Sequence, residues 1–137
     1  MPAAMESAVV LGGTGAVPAA VMDTLKTELG DGEVIRLGGA TRYDTAAMIA
    51  QHGVDNGLSW NGVGVAAGGN FPDALSGGAS LGLKQTVMLL TATNSLPAAA
   101  EAKLTANAAD IDSVSILGGT GAVSAAVEAE IKAAAGL

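Results

Sequence analysis

Five short apolar runs punctuate the chain: Ala8 to Leu11, Val34 to Leu37, Val63 to Ala67, Val87 to Leu90 and Val114 to Leu117. Each is continuous rather than alternating, the pattern of a strand covered by helices on both faces. A helical periodicity follows every run. Pro18 opens the first, where its missing N–H costs nothing, and Val21, Leu25 and Leu29 make an apolar stripe that Gly30 and Gly32 end. The second runs from about Arg42 to Val54, with Tyr43, Ala46, Ala47, Ala50 and Val54 on one face and Gly53 and Gly57 marking its stop. The third begins near Phe71-Pro72-Asp73 and carries Ala74, Leu75, Ala79 and Leu81. Gly77 and Gly78 weaken it by about 1 kcal/mol each relative to Ala, which is tolerable where another backbone comes close. The fourth starts at Pro97 and the fifth at Ser124, a good N-cap, running through Ala135. Strand and helix alternating in this way predict an α/β fold. It is a single domain over residues 1–137, with about five mostly parallel strands in one sheet and helices on both faces.

Two of these strand–helix units are copies of each other. Leu11-Gly-Gly-Thr-Gly-Ala-Val17 returns letter for letter as Leu117-Gly-Gly-Thr-Gly-Ala-Val123, an offset of 106 residues. From Leu11 to Val21, 10 of the 11 positions are identical, and the exception sets Pro18 against Ser124. A match of that length is a repeated βα unit. Residues 8–30 then form an extra unit repeating 114–136, and 33–137 form a full repeat. A glycine pair directly after a strand lets the chain turn sharply and lets backbone N–H groups face a ligand or a neighbouring chain. Leu29-Gly-Asp-Gly-Glu33 separates the first unit from the rest and can act as a hinge. Whether that unit completes its own domain or is exchanged with a neighbour's is open at this level.

Composition narrows the packing and the partners. The chain is 50% hydrophobic but only 2% aromatic, so its core is built from Ala, Val, Leu and Ile around thin backbone packing. Thirteen acids against six Lys and Arg give a net charge of −7, which disfavours duplex nucleic acid and anionic membranes because no basic stripe exists to release counterions. Without cysteine there are no disulfides, thiolate metal sites or thiol catalysis. Met1-Pro-Ala-Ala-Met-Glu6 lacks the basic start and apolar run of a secretory signal, and no apolar segment approaches the roughly 18 to 20 residues of a membrane span. The expectation is a chain kept in the cytosol, released by lysis, or cut from a secreted protein, with no membrane insertion.

Four loops carry candidate chemistry. Gly13-Thr-Gly15-Ala-Val-Pro18 and Gly119-Thr-Gly121-Ala-Val-Ser124 fall one glycine short of the dinucleotide fingerprint, with Pro and Ser at its third glycine. The second copy ends 13 residues after Ser124, leaving no following strand for a ribose-binding acid. A structural turn or protein contact is the better reading, no cofactor is expected, and Thr14 and Thr120 stand as candidate ligand or interface contacts. Asn70-Phe71-Pro72-Asp73 lies between third strand and third helix, where α/β sheets place ligand groups. There Asp73 either caps the helix or accepts from sugar hydroxyls, and Phe71 is either a core plug or a contact at a subunit seam. Arg42-Tyr43-Asp44 follows the second strand in the same way; Arg42 either meets an anionic ligand with a forked contact or pairs with Asp44 or Asp73 to fix the loops. No catalytic residue emerges. The single His52 ends a helix, where the dipole explains it, and neither a nucleophile elbow nor metal-ligand spacing is present.

Four blocks together carry a resemblance: Val34 to Ala46, Ala67-Gly-Gly-Asn-Phe-Pro-Asp-Ala-Leu75, Val87 to Thr91 with Leu96-Pro97, and Ile116 to Ser124. In order, spacing and wording they resemble one full repeat of the cell wall binding repeat 2 family, and Val9 to Leu29 looks like the closing unit of a preceding repeat. The resemblance implies non-catalytic modules with a parallel α/β fold, set three in a row on secreted bacterial surface proteins. Such modules pack with pseudo-threefold symmetry and hold anionic cell-wall glycopolymers. It places Arg42, Tyr43, Asn70 and Asp73 on positions of the family's motifs. This chain has one repeat plus a fraction and no leader, so a closed homotrimer is expected to rebuild the threefold unit. It would act at the cell surface, or on the capsid or tail of a phage particle that meets the wall after lysis. The alternatives are a structural decoration of a virion or surface layer and, with least support, a dinucleotide-binding protein.

Overall fold

Each apolar run becomes a strand and each periodic segment a helix. The computed structural model describes residues 5–137, and the reading of the N-terminus as leaderless rests in part on Met1 to Ala4, outside the described residues. In order come β1 (Ala8–Leu11), α1 (Ala19–Leu29), a 3₁₀ turn (Asp31–Glu33), β2 (Val34–Leu37), α2 (Arg42–Asp55) and β3 (Ser59–Ala67). Then follow α3 (Pro72–Leu83), β4 (Thr86–Thr91), α4 (Ala98–Ala106), β5 (Ser113–Leu117) and α5 (Ala125–Ala134). All strand pairs are parallel, as continuous apolar runs between helices require.

The strands do not join in one sheet. β1 pairs with β2 alone, while β3 stands between β4 and β5 in a separate trio. A cleft divides them, lined from the pair by Leu11 and from the trio by Leu90, with Ile49 of α2 also on its wall. α2 follows β2, packs on β4 and touches β2, so it spans the two sheets. β3 is also longer than its apolar run. Ser59, Trp60, Asn61 and Gly62 extend it toward its start, with a register shift against β4 between Ser59 and Val63. Gly53 does not stop α2; it lies inside the helix, where a Cβ would come within 2.7 Å of the Leu58 side chain.

β3 is the axis of the core. Val63, Val65 and Ala67 on one face meet Ala47 and Ala50 of α2, Ala100 and Leu104 of α4, and Val127 and Ile131 of α5, all buried. The other face is covered by α3 at very short range, because Gly64 makes room for Leu81 and Gly77 of α3 for Leu117. The outer strands depart from full burial. β1 buries only Val10, and β5 leaves Ser113 and Ser115 exposed.

The repeated units therefore carry unequal weight. Ile131 of α5 is completely buried, whereas Leu25, its counterpart 106 residues earlier, is only half-buried. Ile131→Ala is expected to cost about 2–5 kcal/mol of unfolding free energy, and Leu25→Ala less than half of what Ile131→Ala loses, both read from urea titrations monitored by circular dichroism.

Candidate functional site

The loops after β1, β2, β3 and β5 meet at the carboxyl ends of the strands, the place where open α/β sheets hold ligands. The start of α2 anchors them. Thr41 Oγ1 accepts from Asp44 N at 3.2 Å and Asp44 Oδ2 accepts from Thr41 N at 2.9 Å, a complete capping box. Thr45 Oγ1 reinforces it, accepting from Gly39 N and donating to Thr41 O, each at 3.0 Å. Asp44 is thus committed to the helix start. The Thr41 hydroxyl and then the Thr41 N–H stabilise its charged form and hold its carboxyl below the ordinary value of 3.8.

Arg42 follows directly on this cap. Its Nη1 donates to Gly68 O at 2.6 Å, so the guanidinium bridges the β2–α2 and β3–α3 loops. Gly68 accepts that approach because it has no Cβ; one would stand 2.7 Å from Tyr43 Cε1 and 3.2 Å from Arg42 Cδ. The side chain separates two hollows. The larger, about 630 Å³, is lined by the Gly12 to Ala16 turn with Thr14, by Gly39 to Arg42, and by Thr45, Ile49 and Leu90. The smaller, about 180 Å³, is lined by Arg42, Gly68, Gly69, Asn70, Phe71 and Leu90. A third, about 460 Å³, continues from Asn70 to Thr93 after β4 and to Gly121 and Ala122 of the β5–α5 loop.

The candidates fall into clear groups. Thr14 and Arg42 share the large hollow, and Arg42, Asn70 and Phe71 share the small one. Tyr43 lies beneath them against Gly68, and Thr120 is exposed and outside these hollows. Phe71 is 70% exposed, so it is not a core plug. Asp73 makes no cap bond to α3, whose cap position is Phe71. Its carboxylate instead lies against Gly118, with Oδ2 2.5 Å from where a Cβ would stand. Arg42 pairs with neither Asp44 nor Asp73; the ion pairs among the described residues are Lys26–Asp31 and Lys132–Glu128. His52 occupies the last turn of α2, as its position predicts.

Sequence reasoning missed Arg36. Its Nη1 donates to Gly12 O at 2.6 Å and Val17 O at 2.9 Å, stitching the first glycine turn onto β2, while its Nη2 is buried without a partner. The available signal was an arginine inside the apolar run Val34-Ile-Arg-Leu37.

Residues 36–128 match the family Cell wall binding domain 2 (CWB2). The chain belongs to this family. The CWB2 match takes in Arg42, Tyr43, Asn70 and Asp73 and begins after β1 and α1. Among solved structures the chain is similar to Cwp8 from Clostridium difficile, with a TM-score of 0.75 and 26% identity over 94% of this chain. Cwp6 from Clostridium difficile has the same fold, with a TM-score of 0.79 and 20% identity over 93% of this chain. This chain spans 20% of the length of each. No curated protein sequence matches it. The structural likeness extends into the first βα unit, which the CWB2 match leaves out.

The capping box sets a pH dependence. A carboxylate whose pKa is lowered in the folded state stabilises the fold above its unfolded pKa and loses that contribution as pH falls below it. Stability is expected to decline as pH drops below about 4, and Thr41→Ala to flatten the decline, measured by thermal melts across pH 2.5 to 6 on the two proteins.

Proposed function

We propose that this chain is a non-catalytic CWB2 module that attaches to bacterial cell wall at the cell surface by binding an anionic glycopolymer, and that it works as a closed homotrimer. Family membership supports wall attachment, and Arg42 supports an anionic ligand. Arg36 is spent on the first turn, Lys26 and Lys132 are paired, Lys103 donates to Gln51 Oε1 at 2.8 Å, and Lys84 follows the C-terminal end of α3, away from the loops after the strands. Arg42 keeps donors exposed at the mouth of two hollows, beside the N-terminus of α2, where negative charge is favoured. Thr14 and Asn70 flank it with groups suited to sugar hydroxyls.

Long-range electrostatics work against this ligand, since the chain carries −7. Binding then depends on short-range forked contacts and on divalent cations that screen or bridge the two anions. The trimer draws support from α3. Phe71, Leu75, Ala79 and Leu83 fall four residues apart on one helical face, and Phe71, Leu75 and Leu83 are 70%, 69% and 88% exposed. An apolar stripe of that kind marks a protein contact.

Two measurements test the proposal. Arg42→Ala is expected to weaken pelleting with isolated cell walls at least tenfold in buffer containing divalent cations, while the mass by light scattering stays unchanged. Equal pelleting by the variant would overturn the ligand assignment. Light scattering of the unaltered chain is expected to give three times 13.2 kDa, and Leu75→Asp to reduce it to a monomer.

A further inference from the structure

The two copies of the repeated unit are in opposite states of completion. In the second, Val123, Val127, Ile131 and Ala135 are sealed at 1% exposure or less. Their counterparts Val17, Val21, Leu25 and Leu29 all remain open to water, and α1 has no buried residue. The difference lies in the neighbours. β5 has β3 beside it and α5 has α4, whereas β1 has only β2, and α1 packs mainly on β2 and the 3₁₀ turn.

What β2 offers is a receptor for the glycine turn. Arg36 holds Gly12 O and Val17 O, and Gly38 lets the backbone of Gly12 and Gly13 approach so closely that a Cβ would stand 2.7 Å from Gly13 N. The turn after β5 carries the same seven residues, Leu117 to Val123. Its matching carbonyls, Gly118 O and Val123 O, accept no hydrogen bond among the described residues, and β5 is one of the two open edges of its trio, the other being β4. The Asp73 carboxylate stands beside that turn, without an ion-pair partner among the described residues.

The one mismatch in the repeat assigns the two units different places. Ser124 N donates to Thr93 O at 2.9 Å and Ser124 Oγ accepts from Val127 N at 3.4 Å, tying α5 to the loop after β4. Pro18, at the same position, has no N–H to donate and makes no side-chain cap. β5 and α5 are therefore fastened to β3 and β4, with one strand edge to spare. β1 and α1 lack that fastening and hold mainly to β2 and the 3₁₀ turn.

We infer that copies of this chain associate head to tail by strand exchange, β5 and its turn from one copy replacing β1 and its turn on β2 of the next. β1 and α1 are a built-in stand-in that covers β2 until a second copy arrives. The displaced unit turns away about Gly30 to Gly32, where Gly30 already has φ of +101°. Arg36 passes from Gly12 O and Val17 O to Gly118 O and Val123 O of the neighbour, and Asp73 of that neighbour brings a negative charge to the guanidinium. Repeated around a ring, the contact closes the oligomer. The inference rests on the homotrimer of the proposed function and adds a strand contact to the α3 contact described there.

The chain has no cysteine, so introduced pairs report the geometry directly. Ile35 faces Val9 in the β1–β2 register, and Ser115 is the counterpart of Val9 106 residues on. Ile35→Cys/Ser115→Cys, mildly oxidised, is expected to give disulfide-linked dimers and trimers on a non-reducing gel. Val9→Cys/Ile35→Cys is expected to clamp β1 to β2 within one chain and hold it monomeric by light scattering, with reduction restoring association. Cross-linking of Val9→Cys/Ser115→Cys between copies in place of the first pair would mean that β5 lies on β1 without exchange, and would overturn the inference. A trimer indifferent to the clamp, with no Ile35–Ser115 link, would overturn it too while leaving the homotrimer standing; a monomer of the unaltered chain would overturn both.

Discussion

How close two backbones can come is the constraint on which this structure depends. A core with one buried aromatic side chain, Trp60, has little bulk to hold its layers apart, and interiors pack near crystal density whatever their composition. The chain meets that demand by placing glycine where layers touch. Gly64 admits Leu81, Gly77 admits Leu117, Gly68 admits the Tyr43 ring, and Gly38 admits another backbone. Enlarging any of these positions would push a layer outward by tenths of an ångström or more. The loops that carry Arg42 and Asn70 would move with it.

Much of this was legible in the residues, and the reason is local. Pro18, Pro97 and Ser124 each mark the start of a helix, and continuous β-branched runs mark parallel strands, because caps and periodicity act over a few residues. What escaped is long-range. Nothing in Val34 to Leu37 says that β2 pairs only with β1, since that depends on where α2 lies. The polar start of β3 hides Trp60 because Asn61 and Gly62 break the apolar run, although Trp60 is buried. Phe71 sits outside for a topological reason: it caps a helix on the far side of the sheet from the large core.

The site shows the same division. Arg42 and Asn70 could be chosen from strand–loop–helix position alone, because the carboxyl ends of parallel strands converge by construction. That Asp44 is spent on a capping box, that Asp73 touches Gly118, and that Arg36 binds the first glycine turn all depend on contacts between distant segments. The duplicated turn was visible from the start. Its meaning was not, since identical residues end up sealed in one copy and half open in the other.

An edge strand is an invitation to uncontrolled growth. A chain that showed both a bare β2 and a bare β5 would carry two complementary ends from the moment it folded. A head-to-tail contact between such ends makes an endless filament whenever it fails to close into a ring. Here β2 is already paired along four residues with β1, part of a duplicate of β5 and α5 whose helix has no buried residue. In the proposed assembly residues 8–29 thus work as a stopper on β2, so that free molecules meet with the β5 end open and the β2 end closed.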